Sequence, residues 1–145
     1  MFCYNKQMIN VLQTFFKKYN FDFVLLFGSA VTQTMHEMSD IDIGIFTKDT
    51  ISLKDLGYIS AMLENKLNKR VDISLLRDLE KKDPNFVFSI LENHQLITLQ
   101  DETSYIDFKT KAQLSYLDHK ELIETNLKGL KNRIENGNFA RRNYA

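Results

Sequence analysis

An alternation of polar and apolar residues from Ser39 to Phe46 restricts the fold more than any other segment. These eight residues read Ser-Asp-Ile-Asp-Ile-Gly-Ile-Phe. Successive side chains of a β-strand point to opposite faces of the sheet, so Ile41, Ile43 and Ile45 share one face. The segment is therefore predicted to be a strand with one apolar face, which must pack against another layer.

Other segments supply the remaining elements of an α/β fold. Short apolar runs predict strands at Phe23–Phe27, Val71–Leu76 and Leu96–Leu99. Apolar residues at helical spacing predict helices over 5–19, 53–68 and 102–136, and Asp83-Pro84 predicts the start of a short helix that ends near Asn93. Residues 30–38 are ambiguous and fit a short helix together with a loop. Together these segments predict a small mixed sheet of three or four strands flanked by helices.

Length and composition favour one soluble domain. The chain has 145 residues, with 19 Lys and Arg against 19 Asp and Glu. That balance argues against a domain that grips nucleic acid by bulk charge. A single cysteine, Cys3, excludes an internal disulfide, and no apolar run approaches the ~20 residues of a membrane helix. With an N-terminus that lacks a signal-peptide core, these features predict a cytoplasmic protein.

The predicted domain divides into a core over 1–100 and a C-terminal helical extension over 101–145. An apolar stripe continues to the end of the predicted helix at a 4-3-4 spacing, through Ile123, Leu127, Leu130 and Ile134. Because more than thirty residues is long for a helix in a globular protein, we expect either a break or a half that faces a partner. Residues 120–145 hold six basic and three acidic residues, which fits a solvated helix face or a surface that meets a partner.

The chemistry of the chain is predicted to reside in carboxylates on two strands. Asp40 and Asp42 are two residues apart, so both project on the face opposite the isoleucines, where Gly44 adds no side chain. Two such carboxylates repel each other unless a cation lies between them, and their hard oxygens suit Mg²⁺. Asp72 joins them if its strand lies beside theirs. Three carboxylates fit a two-metal site for phosphoryl or nucleotidyl transfer.

A Gly-Ser pair precedes the carboxylates. Gly28 and Ser29 end the strand Phe23–Phe27, and ten residues separate Ser29 from Asp40. Glycine lets a phosphate approach the backbone closely, and the N–H groups and hydroxyl that follow can donate to phosphate oxygens. Each part also has an ordinary explanation, since a Gly-Ser is often only a turn and an Asp-x-Asp often only a solvated strand end. The combination is what points to a nucleotide.

This combination resembles the nucleotidyltransferase superfamily that has the DNA polymerase β-like catalytic fold. The segments that carry the likeness are FGS, SDIDIGIF and RVDISLL. Within that superfamily the short chain is similar to the minimal nucleotidyltransferase (MNT, MntA-like) antitoxins that are paired with HEPN toxins. The stretches Tyr105–Lys109 and Tyr116–Asp118 also resemble the C-terminal part of that group.

The resemblance implies a role for each matching residue. Gly28 and Ser29 would bind the phosphates of ATP. Asp40 and Asp42 would coordinate two Mg²⁺ ions, and Asp72 would contact one of them and deprotonate or orient the attacking hydroxyl. The acceptor implied is a tyrosine on the cognate HEPN toxin, a ribonuclease that is blocked when AMP is transferred to it.

One departure from the family pattern keeps other functions open. Many members carry a basic residue and a glycine shortly after the Gly-Ser, where this chain has Thr32 and Gln33. An antitoxin that is catalytically weak and neutralises its toxin by binding alone is one alternative. A transferase that acts on small molecules such as aminoglycosides is another, although the chain is short for the substrate domain of those enzymes. The histidines, His36, His94 and His119, lack the spacing of a metal site and are expected to be surface or capping residues.

Overall fold

The computed structural model describes residues 2–32 and 40–135. Six helices and four strands alternate along these residues: α1 (Phe2–Phe16), β1 (Phe23–Phe27), α2 (Ser29–Thr32), β2 (Ile41–Phe46), α3 (Leu53–Leu67), β3 (Val71–Leu75), α4 (Leu79–Lys82), α5 (Pro84–Glu92), β4 (His94–Leu99) and α6 (Glu102–Glu135).

The strands form one mixed sheet in the order β3-β2-β1-β4. β1 lies antiparallel to both β2 and β4, whereas β2 and β3 are parallel. The parallel pair requires a crossover, which α3 provides. The predicted α/β class, with a small mixed sheet flanked by helices, is confirmed.

One side of the sheet, called the closed face here, is covered by α1 and α3. Its centre is formed by Ile41, Ile43 and Ile45, all 0% exposed, which confirms their shared apolar face. They pack against side chains of the two helices such as Leu12 and Leu63. At roughly 25 cal/mol per Å² of apolar surface removed from water, this layer is a main source of stability.

The opposite side, called the site face, is covered only in part. Phe23 and Leu25 of β1 pack there against α5 and α6, through residues such as Ile90 and Phe108. The N-terminus of helix α5 is well defined. The side chain of Asp83 caps it by accepting a hydrogen bond from the backbone N–H of Phe86 at 3.1 Å, and Pro84 occupies its first turn. The predicted start at Asp83-Pro84 therefore agrees with the structure.

Helix α6 runs unbroken from Glu102 to Glu135, about 50 Å. Its first turns are anchored by Phe108 and Ala112, which are buried against the site face. Beyond them, Leu122 and Leu127 are 61% and 58% exposed. Of the two predicted alternatives, a break does not occur within these residues, and the distal half leaves apolar side chains uncovered.

Several boundaries differ from the sequence prediction. α1 ends at Phe16 instead of residue 19, because the chain turns there and the N–H of Tyr19 bonds to the carbonyl of Phe16. β4 begins at His94, two residues early, since it pairs with the end of β1. The ambiguous segment 30–38 is helical as far as Thr32, and its remainder lies outside the described residues.

Candidate active site

The strand register brings two of the predicted carboxylates side by side. β2 and β3 pair so that the Cα of Asp42 lies opposite that of Asp72, and on its other side Asp42 lies opposite Phe27 of β1. Paired positions on neighbouring strands are about 5 Å apart and point to the same face. The condition set for Asp72, that its strand lie beside that of Asp42, is met.

Asp40 stands just before β2 and is half-buried. Its charge and that of Asp72 both act on Asp42. Burial, followed by repulsion from Asp72 and then from Asp40, raises the pKa of the Asp42 carboxyl above its ordinary value. The repulsion expected among these carboxylates from the sequence is thus present in the folded chain.

Gly28 lies against the Asp42 carboxylate. Its φ of +76° is a conformation that side chains disfavour, and a Cβ added there would stand 2.3 Å from Oδ2 of Asp42. Only glycine therefore lets the turn after β1 come so close to the carboxylate. Ser29 follows as the first residue of α2 and is half-buried. The Gly-Ser turn and the carboxylates, which the sequence separates by ten residues, are neighbours in the fold.

Gly44 has a packing role that the sequence did not indicate. It does lie on the site face, but a Cβ there would be 2.9 Å from a methyl group of Leu76. Leu76 is fully buried in the core of this face. The glycine therefore makes room for a core leucine, two residues along the strand from Asp42, and does not leave a ligand space open.

The donor chemistry of this end of the sheet fits a divalent cation with oxygen ligands. Two in-register carboxylates and a third beside them are the ligand type that Mg²⁺ prefers. Among residues 2–32 and 40–135, no three His, Cys, Asp or Glu side chains are gathered closely enough to hold a metal ion. Gln33 and His36 lie outside the described residues.

Two further residues at this end were not singled out for the site by the sequence. On the far side of Phe27 from Asp42, β4 places His94 opposite Phe27. The Nδ1 of His94 lies 3.2 Å and 3.1 Å from the carbonyl oxygens of Ile90 and Leu91, so Nδ1 carries the proton. Its Nε2 then accepts the hydroxyl of Tyr105 at 2.7 Å. His94 thus caps the end of α5, in agreement with the expected capping role.

The other residue is Phe86, whose ring meets that of Phe27 edge-on with centroids 5.9 Å apart. Phe86 is 37% exposed although it belongs to a helix that covers the site face. No motif in the sequence marks it, because its relation to Asp42 passes through Phe27 and arises only from strand pairing.

Comparison with known families identifies the chain. Residues 10–103 match the family of polymerase beta-type nucleotidyltransferases. The chain belongs to this family. It is a nucleotidyltransferase, and the matched region contains the Gly-Ser turn and all three carboxylates. No curated protein matches its sequence.

Solved structures support the same fold. The nucleotidyltransferase is similar to a chain of a toxin–antitoxin complex with AMP-PNP, at 18% identity and a TM-score of 0.69, over 85% of this chain and 98% of that one. It is also similar to a chain of a complex between tri-AMPylated Shewanella oneidensis HEPN toxin and its MNT antitoxin, at 16% identity and a TM-score of 0.65, over 88% and 98%. A chain of an MntA–HepT complex matches at 14% identity with a TM-score of 0.51, over 90% and 97%.

In the part of the chain that is described, none of the helices has the length and apolar character needed to cross a membrane.

Proposed function

We propose that this nucleotidyltransferase is an antitoxin that uses ATP and Mg²⁺ to transfer AMP to a tyrosine of a cognate HEPN ribonuclease toxin. The family match supports nucleotidyl transfer. The likeness in fold to chains of toxin–antitoxin complexes, one with AMP-PNP and one with an AMPylated HEPN toxin, supports the nucleotide and the partner. Since a ribonuclease acts where RNA is found, the proposal places the protein in the cytoplasm.

The observation that carries the proposal is the register of Asp42 with Asp72, beside the Gly28 turn. Asp40 and Asp42 would hold two Mg²⁺ ions and Asp72 one of them. Bound Mg²⁺ would neutralise charge on the triphosphate and on the carboxylates. The raised pKa of Asp42 is consistent with this role, because a group that is repelled by neighbouring carboxylates gains most from a cation.

The transfer itself needs one base and one phosphate cradle. The tyrosine oxygen forms a bond to the α-phosphorus of ATP, the bond from that phosphorus to the bridging oxygen breaks, and pyrophosphate leaves. Asp72, the most exposed of the three carboxylates, would take the hydroxyl proton. The backbone after Gly28 and the hydroxyl of Ser29 would donate to phosphate oxygens, which positions the α-phosphate over Asp42.

A labelled-transfer assay tests the proposal. Purified protein is incubated with Mg²⁺, the HEPN protein encoded in the adjacent reading frame, and ATP labelled on either the α- or the γ-phosphate. We expect label from the α-phosphate alone on the toxin, and none when the acceptor tyrosine is replaced by phenylalanine. Transfer of γ-label, or absence of any transfer by the wild-type protein, would contradict the proposal.

Matched variants link the transfer to the site. Asp42→Asn and Asp72→Asn change charge with little change of shape and should abolish transfer. Asp107→Asn is the control, since Asp107 lies on α6 in an exposed ion pair with Lys111. Equal transfer by the control and by the two site variants would remove the carboxylates from the mechanism.

An antitoxin that acts by binding alone is the second candidate. It is favoured by Thr32 and Gln33, which replace the basic residue and glycine of many family members, and by the uncovered leucines of distal α6. In that case a variant with both Asp40→Asn and Asp42→Asn would still rescue cells from the toxin. Loss of rescue, with the variant still bound to the toxin in a pull-down, would favour the enzymatic function instead.

A further inference from the structure

An exposed aromatic ring lies next to the carboxylates on the site face. The sheet places Asp72, Asp42, Phe27 and His94 in one row across its four strands. Phe86 of α5 sits over this row and touches Phe27. Asp42 and Phe27 are one strand spacing apart, about 5 Å, and the Phe86 ring centre is 5.9 Å from that of Phe27. The ring therefore contacts the strand residue that pairs with Asp42 and directly precedes Gly28.

The Phe86 ring is held by its surroundings. The backbone N–H of Phe86 donates to the Asp83 side chain at 3.1 Å, which anchors the first turn of α5. Its carbonyl accepts the hydroxyl of Ser89 at 2.6 Å. Its ring stands at 76° to the Phe27 ring beneath it. Val87, the next residue, is fully buried, so the helix cannot turn without breaking the core, and a ring on a fixed backbone loses little entropy when it binds a ligand.

Other described aromatic side chains on this face are covered or already paired. Phe23 and Phe108 are buried, and Phe27 is only 7% exposed. Phe88 stacks on Tyr116 with ring centroids 3.8 Å apart. Phe86, although it contacts Phe27, is 37% exposed and therefore presents open aromatic surface on this face.

We propose that Phe86 is the stacking platform for the base of the bound nucleotide. This inference rests on nucleotide binding in the proposed function. With the phosphates at Gly28 and the α-phosphate near Asp42, the base would lie one ribose beyond the α-phosphate, and Phe86 is the exposed ring that contacts Phe27, the neighbour of both residues. Stacking on an aromatic ring tolerates any base, because every base has a π-face. Phe86 accordingly contributes affinity for nucleosides without choosing adenine over guanine.

Binding measurements that separate the base from the phosphates test this role. Calorimetry in the presence of Mg²⁺ compares ATP with inorganic tripolyphosphate, which has the phosphates but no base. We expect Phe86→Ala to weaken ATP binding by at least about fivefold and to leave tripolyphosphate binding unchanged. GTP should be weakened to the same extent as ATP.

Three further variants define the result. Phe86→Tyr keeps the ring and should bind ATP as the wild type does, whereas Phe86→Leu keeps apolar bulk without the ring and should resemble Phe86→Ala. Tyr58→Ala removes a 57% exposed ring from α3 on the other side of the sheet and should change nothing. Thermal melting confirms that each variant is folded, and Phe86→Leu serves where Phe86→Ala does not fold.

The outcomes separate this inference from the proposed function. If the wild-type protein binds both ligands and folded Phe86→Ala and Phe86→Leu bind ATP as tightly as it does, the stacking role is wrong and the proposed function stands. If Phe86→Ala weakens the binding of ATP and of tripolyphosphate equally, Phe86 acts on the phosphates or the fold, and the stacking role is again wrong. If the wild-type protein binds neither ligand, both proposals fail.

Discussion

The two faces of the sheet use the same strands for different purposes. On the closed face, Ile41, Ile43 and Ile45 of β2 are all 0% exposed beneath α1 and α3. On the site face, the residues between and beyond them are Asp42, Gly44 and Phe46, only two of which can pack. The closed face is a complete hydrophobic layer. The site face is a hydrophobic layer at one end of the strands and carries the charged residues at the other end.

The difference shows how a destabilising site can be tolerated. Asp42 has a raised pKa because it is partly buried near two like charges, an arrangement that opposes folding at neutral pH. The isoleucines beside it oppose any shift in the register of β2, because slipping the strand by one residue would expose them and bury the carboxylates. The closed face therefore holds the register that pairs Asp42 with Asp72.

The largest effect on stability is expected on the closed face. Ile43→Ala should lower the free energy of unfolding by about 2–5 kcal/mol, because it leaves a cavity in a fully buried layer. Leu114→Ala, at a position 57% exposed on α6, should change it by less than about 0.5 kcal/mol. Urea denaturation measures both. Similar losses would mean that the closed face does not dominate stability.

The largest effect on activity is expected on the site face. Under the proposed function, in which Asp72 would be a metal ligand and the base, Asp72→Asn should lower AMP transfer more than about a hundredfold, because such a loss exceeds that of an outer-shell partner. Since Asp72 is exposed, the melting temperature of Asp72→Asn should hardly differ from that of the wild type. Initial rates and melting curves recorded on the same preparation check this. A loss of activity accompanied by an equal loss of folded protein would contradict the division between the faces.

A substitution at Gly28 should affect both stability and nucleotide binding. Gly28→Ala places a Cβ against the Asp42 carboxylate at a φ of +76°, which should destabilise the fold by about 1–3 kcal/mol and also reduce nucleotide binding. Gly57→Ala is the matched control, because no atom lies within 4 Å of its added Cβ. At this exposed position of helix α3 the substitution should stabilise by about 0.5–1 kcal/mol. Denaturation and ATP titration of both variants test the contrast.

The smallest expected effect is a gain in stability. The pKa of Asp42 is higher in the folded chain than in the unfolded one, so its contribution to stability is fully present below about pH 4 and is lost as the pH rises through the folded pKa. Asp42→Asn cannot ionise and should melt at a higher temperature than the wild type at pH 7 without divalent cations. The gap should close toward pH 4. A variant that melts lower at pH 7 would show that repulsion does not act on Asp42.

Much of the fold followed from periodicity. The alternation in β2 and the apolar runs of β1 and β3 are local patterns, and each predicted strand exists with small changes of boundary. α4 was not predicted, because its four residues, Leu79–Lys82, are too few for a helical period to show. The continuity of α6 was also left open, since helical spacing alone does not distinguish one long helix from two shorter ones.

The candidate site was predictable only where its parts are close in the chain. Asp40 and Asp42 were predicted to share a face because they are two residues apart, and Gly28 and Ser29 are marked by the strand that they end. The packing role of Gly44 was not predicted, since Leu76 reaches it from the end of the neighbouring strand. Phe86 was missed because nothing near it in the chain refers to the site.

By itself, the sequence determined which residues form strands and helices and which strand faces are apolar, because these properties depend on neighbours in the chain. It also carried enough of the motif to predict a nucleotidyltransferase. Tertiary structure decided that Asp72 stands opposite Asp42, that Gly28 touches the Asp42 carboxylate and that Phe86 lies over Phe27. These contacts join residues from different elements, and the order and register of the strands that create them minimise the free energy of the whole chain.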